Sequence, residues 1–423
     1  MAAELGSMIR QPLGRINRLM DQRSSQRTAL SILGVCFVLS VLGRGLGETF
    51  TVFLLPVSQS FGWDRAEVVS IYSLTALCGG LVAPLIGRLF DRSGPRLVYT
   101  LGMLLLGGAF LATSYATQLW QFRLTIGVCV GFGVACIGIV PNSILLGRWF
   151  SKRLPTAMSV VYSATGVGVL LLLPIAQILI DHFGWRGAYQ WFGFAVLLLL
   201  LPLLILPWRL FADGAGELQK PAQSDLADEG WTLLSAMRHH AFWALFATFF
   251  FTAIGMYAIS PEIVAYLIDV GLPPLQAATA WGFSGVVLLF GMLGVSWLDG
   301  IIGRRPSVLF SYALSIIGIV MLWLLQWYPN YVLLTGFVIC FGSMVGSRGP
   351  LITSTAMKIF RGERIGTIYG TITIGSGLGS ALGSWCGGLI HDWTHSYNPL
   401  LAFALIAVVL GMIPFLIVPA LRE

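Results

Sequence analysis

The most informative stretch of this sequence is GRLFDRSGPR, residues 87–96, a polar interruption between two long apolar runs. A second version, SWLDGIIGRR, occupies residues 296–305. Each version places an aspartate, Asp91 or Asp299, near the end of an apolar run, then a glycine three or four residues later, and then arginine. This recurrence predicts a chain built from two copies of one structural unit.

The apolar runs around these stretches are long enough to cross a bilayer. The chain of 423 residues is 57% hydrophobic and 10% charged, with a mean hydropathy of +0.84, which is more apolar side chain than one soluble core holds. We count twelve such runs, and a spanning helix needs about 20 apolar residues. Because barrel strands would alternate in polarity and these runs do not, the sequence predicts an all-α membrane protein.

A second repeated motif supports the duplication. RWFSKRLPTAMS (residues 148–159) precedes the fifth run, and KIFRGERIGTIYG (residues 358–370) precedes the eleventh. We therefore expect twelve transmembrane helices in two six-helix bundles related by a pseudo-twofold axis. The expected order is a basic tail, the first bundle, a cytoplasmic linker and the second bundle, at residues 1–28, 29–208, 209–240 and 241–423.

The positions of the 25 Lys and Arg residues predict the orientation. Twenty of them fall on one side of the predicted helices, the side that cytoplasmic loops occupy. Only Arg65 and Arg186 fall on the other side. Both termini are therefore expected in the cytoplasm, with the protein in the cell (inner or plasma) membrane. Topology explains the net charge of +7, so we expect the lipid bilayer and no nucleic acid as a partner.

Charged residues inside the predicted helices are candidates for function, because each costs about 2.5–3.5 kcal/mol or more at mid-bilayer and has to face protein or water. There are five: Arg44, Glu48, Arg123, Glu262 and Arg348. Arg123 lies near a helix end, where a long cationic side chain reaches the interface.

Arg348 is the strongest candidate for binding a substrate. It lies near the middle of the tenth run beside Ser347, where a guanidinium can hold a carboxylate through two parallel hydrogen bonds. The alternative is a permanent ion pair with Glu48 or Glu262. Further candidates for substrate contact are Arg44, Tyr257 and Asn142.

Glu48 and Glu262 are candidates for proton coupling. The segments GETFTVFL and PEIVAYLI place them at matching positions of the two halves. A carboxylate that is removed from water binds a proton more readily, as a coupling site requires. Arg44 precedes Glu48 by four residues, so these two side chains can also neutralise each other on one helix face.

The stretch at residues 87–96 resembles the loop signature G-x-L-x-D-R-x-G-x-R of the major facilitator superfamily of secondary transporters. The resemblance implies that helices one, four, seven and ten line a central cavity, and these helices carry all five intramembrane charges. It also implies a cytoplasmic gate that does not touch substrate. The gate residues are Asp91, Arg92, Gly94, Arg96, Asp299 and Arg304.

A finer resemblance is to the monocarboxylate porters and the bacterial oxalate/formate exchangers. It rests on FGWDRAEV (residues 61–68) and on Phe150, Lys152, Arg153 and Ala157. The chain departs from that group at Ser159, where the motif has Gly, at Gly291, which aligns with its substrate-binding arginine, and at Glu48, where animal members have Lys. The resemblance implies alternating-access transport of a small organic anion by proton symport or anion exchange, carried out by a monomer.

Two other functions stay open. The first is export of drugs or hydrophobic metabolites by proton antiport, although the fifth run lacks the G-P-x-x-G-G motif typical of such exporters. The second is a membrane sensor that does not transport, although the polar segment at residues 208–240 is short for an output domain. The sequence has no metal-ligand spacing and no Walker loop, so we expect no metal, no cofactor and no enzymatic activity.

Overall fold

The computed structural model describes residues 27–150, 154–213, 231–360 and 365–421. Within these ranges the chain forms helices and no strand. The predicted tail lies almost entirely outside the described residues, and so does most of the predicted linker.

Twelve helices, α1–α12 in chain order, cross the predicted membrane region, as expected from the sequence. The first six are α1 (Arg27–Phe61), α2 and α3 (the two arms of Arg65–Ser114), α4 (Leu119–Trp149), and α5 and α6 (the two arms of Leu154–Ile205). The second six are α7 (His240–Asp269), α8 (Pro274–Ile302), α9 (Arg304–Leu324), α10 (331–359), α11 (Ile365–Thr394) and α12 (Tyr397–Ile417).

The repeated stretch forms the same tight turn in both halves. Gly94 joins α2 to α3 with φ 74° and ψ 175°, and Gly303 joins α8 to α9 with φ 84° and ψ 170°. Residues other than glycine rarely adopt this backbone conformation. The two copies therefore share a backbone geometry as well as a sequence pattern.

Buried apolar side chains form two clusters, one drawn almost entirely from α1–α6 and the other from α7–α12. Phe53 and Tyr189 stack at 3.9 Å in the first cluster, and Phe337 and Phe341 stack at 5.4 Å in the second. Many large apolar side chains instead lie on the outer surface. An outward apolar face is what lipid requires, so each bundle has its own core and a lipid-facing surface.

The two bundles touch through small residues. A Cβ added to Gly166 on α5 would lie only 2.0 Å from the carbonyl oxygen of Gly285 on α8, so these backbones are in direct contact. Between α2 and α11, the hydroxyls of Ser73 and Ser384 lie 2.6 Å apart. Small residues permit such close approach between membrane helices.

Charged side chains join the bundles at the end where α2 begins, the predicted external end. The Arg65 guanidinium lies 2.7 Å from Asp269 Oδ2 and 3.3 Å from Glu262 Oε2, and it donates to the Tyr397 hydroxyl. The Arg65 backbone N–H donates to Asp392 Oδ1 at 3.0 Å. All four partners belong to the second bundle. We call these five residues the Arg65 clamp.

Replacing Arg65 by Gln should open the interface between the bundles at this end. Removing one partner of a buried ion pair costs about 3–5 kcal/mol, so contacts that hold the bundles together are lost. The measurement introduces Ser73→Cys into a cysteine-free background. With Arg65→Gln present, this cysteine should react at least about tenfold faster with a membrane-impermeant thiol reagent than it does when Arg65 is intact.

The matched control is Arg186→Gln. Arg186 lies at the same predicted end but contacts its own bundle, donating to the Ala116 carbonyl at 3.4 Å and covering the Trp185 ring. Equal labelling rates in the Arg65 and Arg186 variants would show that the clamp does not hold the bundles together.

Candidate functional site

A cavity of about 300 Å³ lies between the two bundles. Helices α1, α2 and α4 form most of its wall, and α5 adds Thr165. The second bundle contributes Tyr257 from α7 and Ser380 from α11. The cavity is thus a space that both bundles enclose.

The first and fourth helices of each bundle lose regular geometry near this cavity. Helix α1 is interrupted at Thr49, and α7 at residues 260–262. Helix α4 contains a π-helical segment, Arg123–Val130, and a break at Gly138, while α10 loses its α-helix between residues 341 and 347. In a membrane protein, irregular backbone is tolerated where it is buried in protein or lines a polar cavity. Gly138 lines this cavity, and Ser260 and Val345 line a smaller neighbouring cavity, so irregular backbone from α4, α7 and α10 borders the candidate site.

Four side chains form a hydrogen-bonded group in the cavity, which we call the Arg44 cluster. Arg44 Nη2 lies 2.8 Å from Glu48 Oε1 and donates to the Tyr257 hydroxyl at 3.1 Å. The Tyr72 hydroxyl donates to Glu48 Oε2 at 3.1 Å. The ion pair between Arg44 and Glu48, expected from their spacing, is confirmed. Because Tyr257 belongs to the second bundle, the cluster also links the two bundles.

Arg44 and Glu48 differ in their exposure to the cavity. The side chain of Arg44 is 41% exposed, whereas that of Glu48 is 9% exposed. A neighbouring cavity of about 40 Å³ extends from both residues to Trp281 on α8 and Val345 on α10. An accessible cation with a buried counter-charge therefore lies where α1, α7, α8 and α10 meet.

The structure places Arg348 outside this cavity. It is 2% exposed and packs on α9, where Nε donates to Ser311 Oγ at 3.0 Å and Nη2 donates to the Ser311 carbonyl at 2.7 Å. Its guanidinium also donates to Ser315 Oγ and lies 4.1 Å above the Tyr312 ring. Serine oxygens and an aromatic face thus surround this cation.

Arg348 matches neither expectation here, and a role in substrate binding stays a prediction. It does not face the cavity in this conformation, and it does not form an ion pair with Glu48 or Glu262, which pair with Arg44 and Arg65. Its neighbour Ser347 is fully buried and donates to the Ser343 carbonyl, within α10. Helix α10 is irregular just before Arg348, so its helical period does not determine which way the side chain points.

Asn142 also lies away from the cavity. It is completely buried in the first bundle, where Oδ1 accepts from the Tyr99 hydroxyl at 2.8 Å. Its Nδ2 donates to Ser40 Oγ at 2.8 Å and to the Ile137 carbonyl at 3.2 Å. The amide is engaged on both sides, so the structure favours a role in holding α1, α3 and α4 together.

Glu262 occupies the position in α7 that matches Glu48 in α1, but its surroundings differ. It belongs to the Arg65 clamp and not to the cavity. It is 1% exposed, and Oε1 has no hydrogen-bond partner among the described residues. The matching sequence positions thus hold two carboxylates with separate cations.

The predicted gate residues lie around the turns at Gly94 and Gly303. Arg92 and Arg96 are exposed, and the side chain of Asp91 is outside the described part of the chain. In the second copy, Arg304 is buried, lies 3.7 Å from Asp299 and donates to Thr355 Oγ1 on α10 at 3.1 Å. A gating role for these residues stays a prediction.

The sequence did not predict the clamp. One signal was present: Arg65 lies in the first turn of its helix, where the helix dipole disfavours a cation. Acidic side chains nearby offset this unfavourable interaction. Asp269 and Asp392, which supply them, are separated from Arg65 by about 200 and 330 residues, so their contact is a tertiary feature.

Two helical bundles with a charged cavity between them define a class of protein, the multi-pass secondary transporters. The family model for the Major Facilitator Superfamily matches residues 33–384. The chain belongs to that superfamily.

Similar proteins agree with this assignment. The chain is 25% identical over 403 residues to the uncharacterized MFS-type transporter YcxA of Bacillus subtilis (strain 168), covering 93% of this chain and 97% of that protein. It is 28% identical over 391 residues to monocarboxylate transporter 3 of Rattus norvegicus, covering 90% and 77%. It is 27% identical over 371 residues to monocarboxylate transporter 4 of Mus musculus, covering 87% and 78%.

The contacts of Arg348 predict a structural role that substitution can test. Lysine cannot reproduce the two bonds to Ser311, and hydrogen bonds to charged groups contribute about 1.5–3 kcal/mol. Arg348→Lys should therefore lower the apparent melting temperature in detergent, with no loss of stabilisation by any carboxylate that stabilises wild type. A variant that is as stable as wild type but no longer stabilised by that carboxylate would instead support a role of Arg348 in binding.

Proposed function

We propose that the protein is a secondary active transporter that moves a small organic anion through the membrane by alternating access. The observation that supports this most strongly is Arg44, an accessible guanidinium in a cavity that both bundles enclose. Similarity to proteins named monocarboxylate transporters is consistent with an anionic substrate. We propose the cell membrane, with both termini cytoplasmic, as its location.

Arg44, and not Arg348, is the proposed anion-binding residue. A guanidinium carries five N–H donors, and the contacts of Arg44 with Glu48 and Tyr257 both use Nη2. A carboxylate that enters the cavity can bind the same guanidinium, in the paired geometry that arginine favours. Tyr257 then lies beside the bound anion and links it to the second bundle.

Glu48 is the proposed coupling residue, because it competes with the substrate for Arg44. While Glu48 is ionised, it neutralises the cation and disfavours a second anion. When Glu48 takes up a proton, Arg44 regains a net positive charge, and the substrate carboxylate replaces Glu48 as its partner. One proton and one monoanion then cross together with no net charge, so the pH difference drives uptake. Exchange of one anion for another needs no change at Glu48.

The Arg65 clamp is the proposed closed gate of this conformation. The cavity extends from the Arg44 cluster toward Ser40, Ala83 and Val140, away from the clamp. With the predicted orientation, the structure represents a state closed to the outside. Protonation of Glu262 would weaken its attraction to Arg65, so this carboxylate is proposed to act on gate opening.

The experiment that tests the anion site compares Arg44→Gln with Arg123→Gln. Arg123 is also an arginine of a membrane helix, but it is exposed, contacts Ser70 at 3.2 Å and does not line the cavity. A carboxylate at about 100 times its dissociation constant should stabilise wild type and Arg123→Gln by about 2.7 kcal/mol. Arg44→Gln should show no stabilisation and no uptake in proteoliposomes.

The panel should include carboxylates, sugars and hydrophobic cations. If hydrophobic cations alone stabilise the protein, and do so equally with and without Arg44, the anion proposal is wrong and drug export takes its place.

Replacing Glu48 by Gln tests the coupling. Glutamine keeps the shape of a protonated carboxyl but cannot release a proton, so Glu48→Gln should lose accumulation driven by a pH difference. Exchange of external for internal carboxylate should remain within about a factor of ten of wild type. Tracer flux with and without a pH gradient measures both quantities. If Glu48→Gln still accumulates the anion when the lumen is alkaline, coupling through this residue is excluded.

A further inference from the structure

Glycines form part of the cavity wall at positions where helix packing does not require them. A Cβ added to Gly47 on α1 would have Val134 Cγ2 as its nearest neighbour, at 3.7 Å. A Cβ on Gly79 of α2 would lie 3.6 Å from the Gly131 carbonyl oxygen. Both are ordinary van der Waals distances, and both glycines line the cavity.

Two other glycines of the same wall, Gly43 and Gly131, are explained by packing. A Cβ on Gly131 would lie 2.8 Å from the Thr75 carbonyl oxygen, and one on Gly43 would lie 3.0 Å from Ile137. Such close approach is the usual reason for small residues in membrane helices. It does not apply to Gly47 or Gly79, where alanine would fit and would favour the helix by about 1 kcal/mol.

The rest of the wall is mostly small and apolar, with Ser40, Thr75, Thr165 and Ser380 as its polar members. Between the Arg44 cluster and Val140, the cavity is bounded by Ala76, Ala83 and Ala135. Its volume of about 300 Å³ corresponds to about ten water molecules at about 30 Å³ each. A two- or three-carbon acid on Arg44 would leave most of this space as water against a mostly apolar wall, which is unfavourable.

We propose that the preferred substrate is a monocarboxylate with a bulky apolar body, such as an aromatic ring or a branched chain. The carboxylate binds Arg44, and the apolar body fills the space that Gly47 and Gly79 leave open. Gly79 is then a residue that determines specificity. This inference rests on the proposed anion transport and goes further by naming the shape of the anion.

A pair of acids that differ only in a phenyl group, propanoate and 3-phenylpropanoate, tests the inference. Burial of the ring should make the dissociation constant of 3-phenylpropanoate for wild type at least about tenfold lower. In Gly79→Leu, the leucine side chain occupies the space of the ring. This variant should lose the preference for 3-phenylpropanoate over propanoate, in thermal stabilisation and in proteoliposome uptake.

The matched control is Gly108→Leu on α3, an exposed position with no atom within 4 Å of an added Cβ and no contact with the cavity. It should keep the preference of wild type. If Gly79→Leu does not fold, Gly79→Ala and Gly47→Ala replace it, since the structure accommodates a Cβ at both positions. Each should reduce the preference in part.

The outcomes separate this inference from the proposed function. If wild type binds propanoate as tightly as 3-phenylpropanoate, the bulky substrate is wrong and anion transport stands. If Gly79→Leu weakens both acids equally, Gly79 serves packing or closure, which overturns its role in specificity. If no carboxylate of any size binds wild type, both the proposed function and this inference fail.

Discussion

The ion pair between Arg44 and Glu48 is the interaction on which the rest of the site depends. A charge in a membrane helix is tolerated only when protein or water surrounds it, and here each residue supplies the other with an opposite charge at 2.8 Å. Because Arg44 and Glu48 neutralise each other within α1, the second bundle contributes only one hydrogen-bond acceptor to Arg44, the hydroxyl of Tyr257. The bundles can therefore separate at this level without leaving a buried charge unmatched.

The helices and the duplication could be predicted because their signals are local. Continuous apolar runs indicate a lipid environment. The turns at Gly94 and Gly303 each lie within a short stretch of sequence, and the two stretches resemble each other. The ion pair of Arg44 with Glu48 could be predicted for the same reason, since the two residues lie one helical turn apart. The direction of the Arg348 side chain could not be predicted, because the irregular backbone before it in α10 breaks the helical period. The clamp joins residues far apart in the chain, which no local pattern records.

The two halves share a backbone plan and use it differently. Glu48 and Glu262 both lie at an interruption of the first helix of their bundle. Glu48 faces an arginine four residues away in its own helix, whereas Glu262 faces Arg65 of the opposite bundle. The duplicated fold thus provides two corresponding carboxylate positions, one in the cavity and one in the Arg65 clamp.

The contact between Gly166 and Gly285 has a mechanical consequence. Backbone meets backbone there, and neither residue has a side chain that would interlock with its partner. Such a point resists compression but offers little resistance to rotation, so in the alternating-access cycle proposed above it would serve as the pivot between the bundles. The clamp and the cavity then lie on opposite sides of this pivot. A small rotation about it becomes a large change in the separation of the bundles at either end.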